Sequence, residues 1–153
     1  MIKAKDIMTT ELITISPDVE IAQAAKILLD KHVNGLPVLE KGRLVGIICQ
    51  SDLVAMQKRL PVPSVFNLLD SLIPLVSNKG LEKEMKKITA ITVAEAMTGN
   101  PITVDPEASL EDIATLMVQR NCHTIPVLER GVLVGIIGKE DVLRTLSGEK
   151  EAK

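Results

Sequence analysis

The groups best placed to do chemistry are two aspartates that close two matching segments. These are Gly46-Ile-Ile-Cys-Gln-Ser-Asp52 and Gly135-Ile-Ile-Gly-Lys-Glu-Asp141. Each aspartate follows an apolar run and stands near the start of a helical stretch. Asp is favoured there, at an N-cap or in a first helical turn, because its carboxylate meets free backbone N–H groups and the positive end of the helix dipole. The other reactive side chains do not combine. His32, His123, Cys49 and Cys122 show no metal-ligand spacing with one another or with a carboxylate. Neither a nucleophile–base pair nor a Gly-rich phosphate loop is present. The chain therefore reads as one that binds: not an enzyme, with no catalytic residue, no metal and no catalytic cofactor.

Composition narrows the ligand and partner classes. The chain has 153 residues, 46% hydrophobic and 25% charged, with a formal net charge of −2. That is enough apolar material for a core in one compact domain or two very small ones. Lys and Arg are scattered among Asp and Glu, so no basic patch points to nucleic acid. Phe66 is the one aromatic residue. Base stacking on aromatic platforms is excluded, and a planar ligand must be held by aliphatic side chains. No apolar run approaches the ~20 residues of a membrane span. Met1-Ile-Lys-Ala-Lys5 lacks a signal-peptide core. Two unpaired cysteines fit a reducing compartment, and a cytoplasmic location is expected.

The elements that would position Asp52 and Asp141 repeat. Sliding the chain by 89 positions (141 minus 52) aligns residues 6–53 with 95–142 without a gap, pairing Met8 with Met97, Thr14 with Thr103 and Pro17 with Pro106. Each copy holds Leu/Ile-Pro-Val-Leu-Glu, then Lys41-Gly42 or Arg130-Gly131, then Leu-Val-Gly-Ile-Ile. This predicts a tight hairpin with a buried second strand. The Gly inside that strand marks a bulge, or a close approach by a ligand or another backbone. Ile13–Ile15 and Ile102–Val104 read as short strands. Helices are expected near 19–31 and 108–120, with apolar residues at helical spacing, and a capping box at Ser109-Leu-Glu-Asp112. A second helix opens near each aspartate. The order is β-α-β-β-α, twice: residues 1–54, then 95–153, in an α/β (α+β) fold. Each unit is too small to stand alone, so a pseudo-twofold pair with one shared core is expected. Residues 55–94 form a partly helical connector, with an amphipathic stretch at 66–73 and a charged one at 81–87.

Ala/Ile-Met-Thr, Ile-Thr-x-x-Pro, an Ala-rich helix, Leu-Pro-Val and Gly-x-Leu-Val-Gly-Ile-Ile-x-x-x-Asp, all in order and twice, resemble the cystathionine-β-synthase (CBS) domain, here as a tandem pair. The resemblance implies clefts that bind adenosine compounds: AMP, ADP, ATP, S-adenosylmethionine or NAD. It implies that Asp52 and Asp141 accept hydrogen bonds from ribose hydroxyls, with capping as the plainer role. It implies that Thr14 and Thr103 line the adenine pocket. Gly35-Leu36-Pro37 and Thr124-Ile125-Pro126 would expose backbone groups to the adenine edge, or would simply begin strands. The family's phosphate-holding Ser/Thr is replaced by Cys49 and Gly138, while the family's phosphate-reaching His falls at Asn34 and His123. Lys139 and His123 both belong to the second repeat, where the first has Gln50 and Asn34. A phosphate-bearing nucleotide should thus prefer the cleft that receives that pair.

The function implied is a regulatory module that senses adenosine-containing nucleotides and passes that state to a regulated protein. The alternative is a structural dimerisation module with degenerate, unoccupied clefts. Apolar helix faces in excess of what a small core covers predict a homodimer, as does the resemblance.

Overall fold

The computed structural model describes residues 1–57 and 91–148. The connector's helices expected at 66–73 and 81–87 lie outside the described residues. In chain order the elements are α1 (Ala4–Ile7), α2 (Ile21–Asp30), β1 (Gly35–Glu40), β2 (Arg43–Cys49), α3 (Gln50–Gln57), α4 (Val93–Ala96), β3 (Thr98–Gly99), α5 (Leu110–Gln119), β4 (Thr124–Glu129), β5 (Val132–Gly138) and α6 (Lys139–Ser147).

Both hairpins form as expected. β1 pairs antiparallel with β2, and β4 with β5, in matching registers. Lys41 and Gly42 take φ of 51° and 78°, and Arg130 and Gly131 take 52° and 80°. Two successive residues at positive φ give the two-residue turn whose twist matches the flanking strands. Beyond each turn the register slips once, between Val38 and Leu39 and between Val127 and Leu128. The strands expected at 13–15 and 102–104 shrink to single parallel bridges, Ile15 to Val38 and Val104 to Val127. A longer ladder is blocked from both sides. Pro37 and Pro126 have no N–H to give, and Pro17 and Pro106 follow two residues after each bridge. What remains is two bonds per bridge: Ile15 N–H to the Pro37 carbonyl at 3.1 Å and Leu39 N–H to the Ile15 carbonyl at 2.9 Å, repeated at Val104.

The two lead-in segments exchange places. α1 packs in the second half, in one cluster with Val104, Ile113, Ile125, Val127 and Ile137. α4 contributes Val93 to the first, with Ile15, Ala24, Leu28, Leu36, Val38 and Ile48. The expected single shared core is therefore two cores, each closed by residues that precede the other repeat. Backbone bonds fix the exchange. Thr9 bridges Ile136 as Thr98 pairs with Ile47. The Ile21 N–H at the start of α2 bonds the Ile91 carbonyl at 2.9 Å, and the Leu110 N–H at the start of α5 bonds the Ile2 carbonyl at 3.0 Å. These carbonyls satisfy otherwise orphaned helix-end donors. They also set helix starts two residues later than the apolar spacing predicts. Ser109 caps α5, its Oγ accepting from the Asp112 N–H at 3.0 Å. On the surface Lys3 and Lys5 both reach Glu107, at 2.5 and 2.8 Å. Their hydrogen bonds hold the Glu107 carboxyl down at about 2. These side chains are exposed, so the contacts add little stability.

The exchange explains the strand glycines. A Cβ at Gly46 would stand 2.6 Å from Met97 Sδ and 2.8 Å from the Thr98 carbonyl oxygen, and Gly135 lies in the same way under Met8. The glycine thus marks close approach by another segment of the chain, beside a bulge.

Candidate functional site

Two clefts flank the region where the halves meet. Asn34 and Thr124 line both. The larger cleft, about 770 Å³, opens beside the start of α3. On one wall the Asp52 carboxylate is fixed at both oxygens. Oδ2 accepts the Cys49 N–H at 2.8 Å, and Oδ1 accepts the Thr98 hydroxyl at 3.0 Å. The first bond is the helix cap anticipated from the sequence. The same cleft is lined by Arg120, Asn121 and His123 from just beyond α5, with Lys139 from the start of α6. Asn121 adopts φ of 49°, a left-handed turn that ends the helix. Ile47, Ile102 and Val54 supply aliphatic lining.

The smaller cleft, 280 Å³, opens beside α6. Asp141 Oδ2 accepts the Gly138 N–H at 2.8 Å. Its Oδ1 accepts from Arg144 Nη1 at 2.9 Å in an ion pair, with the carboxylate side chain 9% exposed. Glu11 and Glu140 line the same space, as do Lys31 and His32. Asn34 Nδ2 lies 3.4 Å from both Glu140 oxygens.

The expected site residues divide as follows. Asp52, Cys49, His123, Thr124 and Lys139 come together in the larger cleft. Asp141, Gly138, Gly35, Leu36 and again Thr124 line the smaller one. Thr14, Thr103, Pro37, Ile125 and Pro126 line neither. Ile125 and both prolines are fully buried in their strands. Lys139 and His123 do not join Asp141 of their own repeat but face Asp52 and Cys49 of the other. The clefts run across the junction, so each draws one wall from either half. Arg120, Asn121, Asn100 and Thr98 also belong to the larger cleft. Arg120 reads in the sequence as a cation at a helix C-terminus, stable there with no ligand. The 89-residue offset gave no means of seeing which half it faces.

Cys49 is no nucleophile. Burial above all, then the Asp52 carboxylate and the Cys122 thiol, pushes its thiol up to about 12. Burial also raises Cys122. Both stay neutral near pH 7, and a neutral thiol neither attacks nor binds metal well. Among the described residues no group of three His, Cys, Asp or Glu side chains is arranged to hold a metal ion. No helix among them is long and apolar enough to cross a membrane.

Proteins of known structure share this fold. CBSX2 of Arabidopsis thaliana, solved in complex with AMP, superposes with a TM-score of 0.72 at 28% identity, covering 99% of this chain and all of that one. The CBS domain pair of protein MJ0100, solved with 5-methylthioadenosine and S-adenosyl-L-methionine, gives 0.69 at 27% identity, covering 97% of this chain and 98% of that one. By sequence, the uncharacterized protein MJ1426 of Methanocaldococcus jannaschii is 30% identical over 153 residues, covering 93% of this chain and 89% of that protein. Residues 4–59 and 93–148 each match the CBS domain. Both halves, with the lead-in segments that close them, make this chain a member of the CBS domain family.

Proposed function

We propose that this chain is a regulatory module, not an enzyme, that binds an adenosine-containing nucleotide in the Asp52 cleft and passes that state to a protein partner. One observation carries the reading. A capped carboxylate lines a single 770 Å³ cleft together with Arg120, His123 and Lys139. Ribose hydroxyls donate to Asp52, phosphate meets the cations, and the base lies against aliphatic side chains. The volume falls within the ~300–1,000 Å³ that hold small ligands. The AMP complex of CBSX2 and the adenosine compounds bound by MJ0100 support the same ligand class. Two free thiols among the described residues suit a reducing, cytoplasmic setting.

Calorimetry with AMP, ADP, ATP, S-adenosylmethionine and NAD tests the reading. Asp52→Ala should weaken the bound ligand about tenfold to a hundredfold, since a hydrogen bond to a charged group contributes ~1.5–3 kcal/mol. Asp52→Asn keeps a helix cap and serves as the folded control. Unchanged affinity in both variants, or no binding of any of the five by the parent chain, sinks the proposal.

The module is also proposed to be a homodimer. Leu29 and Val118 stay exposed at equivalent positions of α2 and α5, as do Val54 and Leu143 on α3 and α6, with Leu146 beside them. Two faces related by the internal repeat, both apolar, suit a second copy of the same chain. Sedimentation at micromolar concentration should show twice the 16.6 kDa of one chain. A single species at 16.6 kDa would count against it.

A further inference from the structure

The smaller cleft is not a copy of the larger, although the chain around it repeats. The position equivalent to Arg144 in the first half is Ala55 (144 minus 89). Arg144 holds Asp141 Oδ1 at 2.9 Å, whereas the matching oxygen of Asp52 meets a threonine hydroxyl at 3.0 Å. The hydroxyl is neutral and can rotate to another acceptor, leaving Asp52 Oδ1 open to a ribose hydroxyl of the same chemistry. The guanidinium cannot leave so simply: it brings a full positive charge to a nearly buried carboxylate, and removing it would leave the carboxylate's charge unpaired. It also cancels the charge that would draw a ribose. Space agrees with this: the smaller cleft offers about 280 Å³ against about 770 Å³ in the larger. Charge agrees too. Setting the histidines aside, the larger cleft sets Arg120 and Lys139 against Asp52, while the smaller sets Lys31 and Arg144 against Glu11, Glu140 and Asp141.

We propose that Arg144 plugs the Asp141 cleft, so that each chain takes one nucleotide rather than two. This rests on the nucleotide reading of the Asp52 cleft. Arg144 is a specificity residue in this scheme. It blocks the ribose site sterically and by pairing with its acceptor, while Glu11 and Glu140 turn away phosphate.

Calorimetric stoichiometry on the full chain tests it, with adenosine and AMP as the probes. The parent chain should bind one molecule of either per chain. Arg144→Ala should bind two adenosines and still one AMP. Asp52→Ala should weaken adenosine tenfold or more, and adding Arg144→Ala to it should restore one adenosine site. The fold unit accepts alanine at this place, as Ala55 shows. The reciprocal change, Ala55→Arg on an exposed position, should lower AMP affinity at least tenfold by plugging the larger cleft. Two ligands on the parent chain, no second adenosine on Arg144→Ala, a second AMP on that variant, or unaltered AMP binding by Ala55→Arg would each overturn the inference while leaving the nucleotide reading in place. Silence of the parent chain and every variant toward both probes would remove both.

Discussion

Alanine at Gly46 should lower the melting temperature by about 5–10 °C, and valine should leave little folded protein. The added Cβ would meet Met97 Sδ at 2.6 Å and the Thr98 carbonyl oxygen at 2.8 Å. The thioether can swing aside. The carbonyl cannot, because Thr98 is paired to Ile47 and Gly99 to Gly46 in the β2–β3 ladder. Overpacking costs typically ~1–3 kcal/mol, and a backbone obstacle sits at the upper end. At roughly 2–4 °C per kcal/mol for a chain of this size, alanine produces the shift above. Valine adds two methyl groups to the same collision, against a total stability of ~5–15 kcal/mol. Gly99 is the control, since nothing stands within 4 Å of a Cβ built there. At Gly135 the three nearest atoms all belong to the Met8 side chain. Gly135→Ala should therefore cost less than Gly46→Ala, and Met8→Ala should partly relieve it. Equal melting of the Gly46 and Gly99 variants would show that close approach is not what holds the strand glycine in place.

Removing residues 1–9 should damage the half of the molecule farthest from them in sequence. Ala4 and Ile7 are buried in the second core, and Met8 packs against it. Thr9 gives and receives a backbone bond with Ile136, at 2.8 and 3.0 Å. Burying such side chains contributes ~1.5–3 kcal/mol for a large aliphatic one, so the deletion should cost about 3–5 kcal/mol. Native-state hydrogen exchange reads where the loss falls. Protection should drop first in α5, β4 and β5, while the β1–β2 hairpin, closed by α4, keeps more of its own. Protection lost first from residues 10–57 would contradict the exchange of lead-in segments.

The hairpins, the order of elements and the helix at each aspartate were legible because they depend on local chemistry. Lys41-Gly42 and Arg130-Gly131 permit one kind of turn, and the apolar spacing of Ile21 to Leu29 permits one helical face. The exchange was not legible. Ile2 to Met8 and Ile91 to Met97 carry nearly the same pattern, which states that each must be covered and says nothing of which half does it. The clefts inherited that ambiguity. Asp52 and Lys139 stand 87 positions apart (139 minus 52) and share no motif, so their meeting across one cleft is a fact of packing. The pairing of Arg144 with Asp141 is local, three positions apart on α6, yet the spacing alone does not say that it closes a cleft. In sequence Arg144 is one of several basic residues near a helix C-terminus, and only the cleft around Asp141 shows what its position covers.

The exchanged segments also set an order of events during synthesis. Residues 4–9 leave the ribosome before both repeats, yet Ile136, which bridges Thr9, is made 127 positions later (136 minus 9). The first half likewise waits for Val93 and the β3 pair before its core can close. Neither half can therefore finish folding while it is the only part synthesised, and the apolar face of α1 must stay uncommitted until the second half is made. Contacts of such long sequence separation slow folding and prolong the exposure of apolar surface. A fold whose local units look independent is, on the timescale of translation, a single closing event.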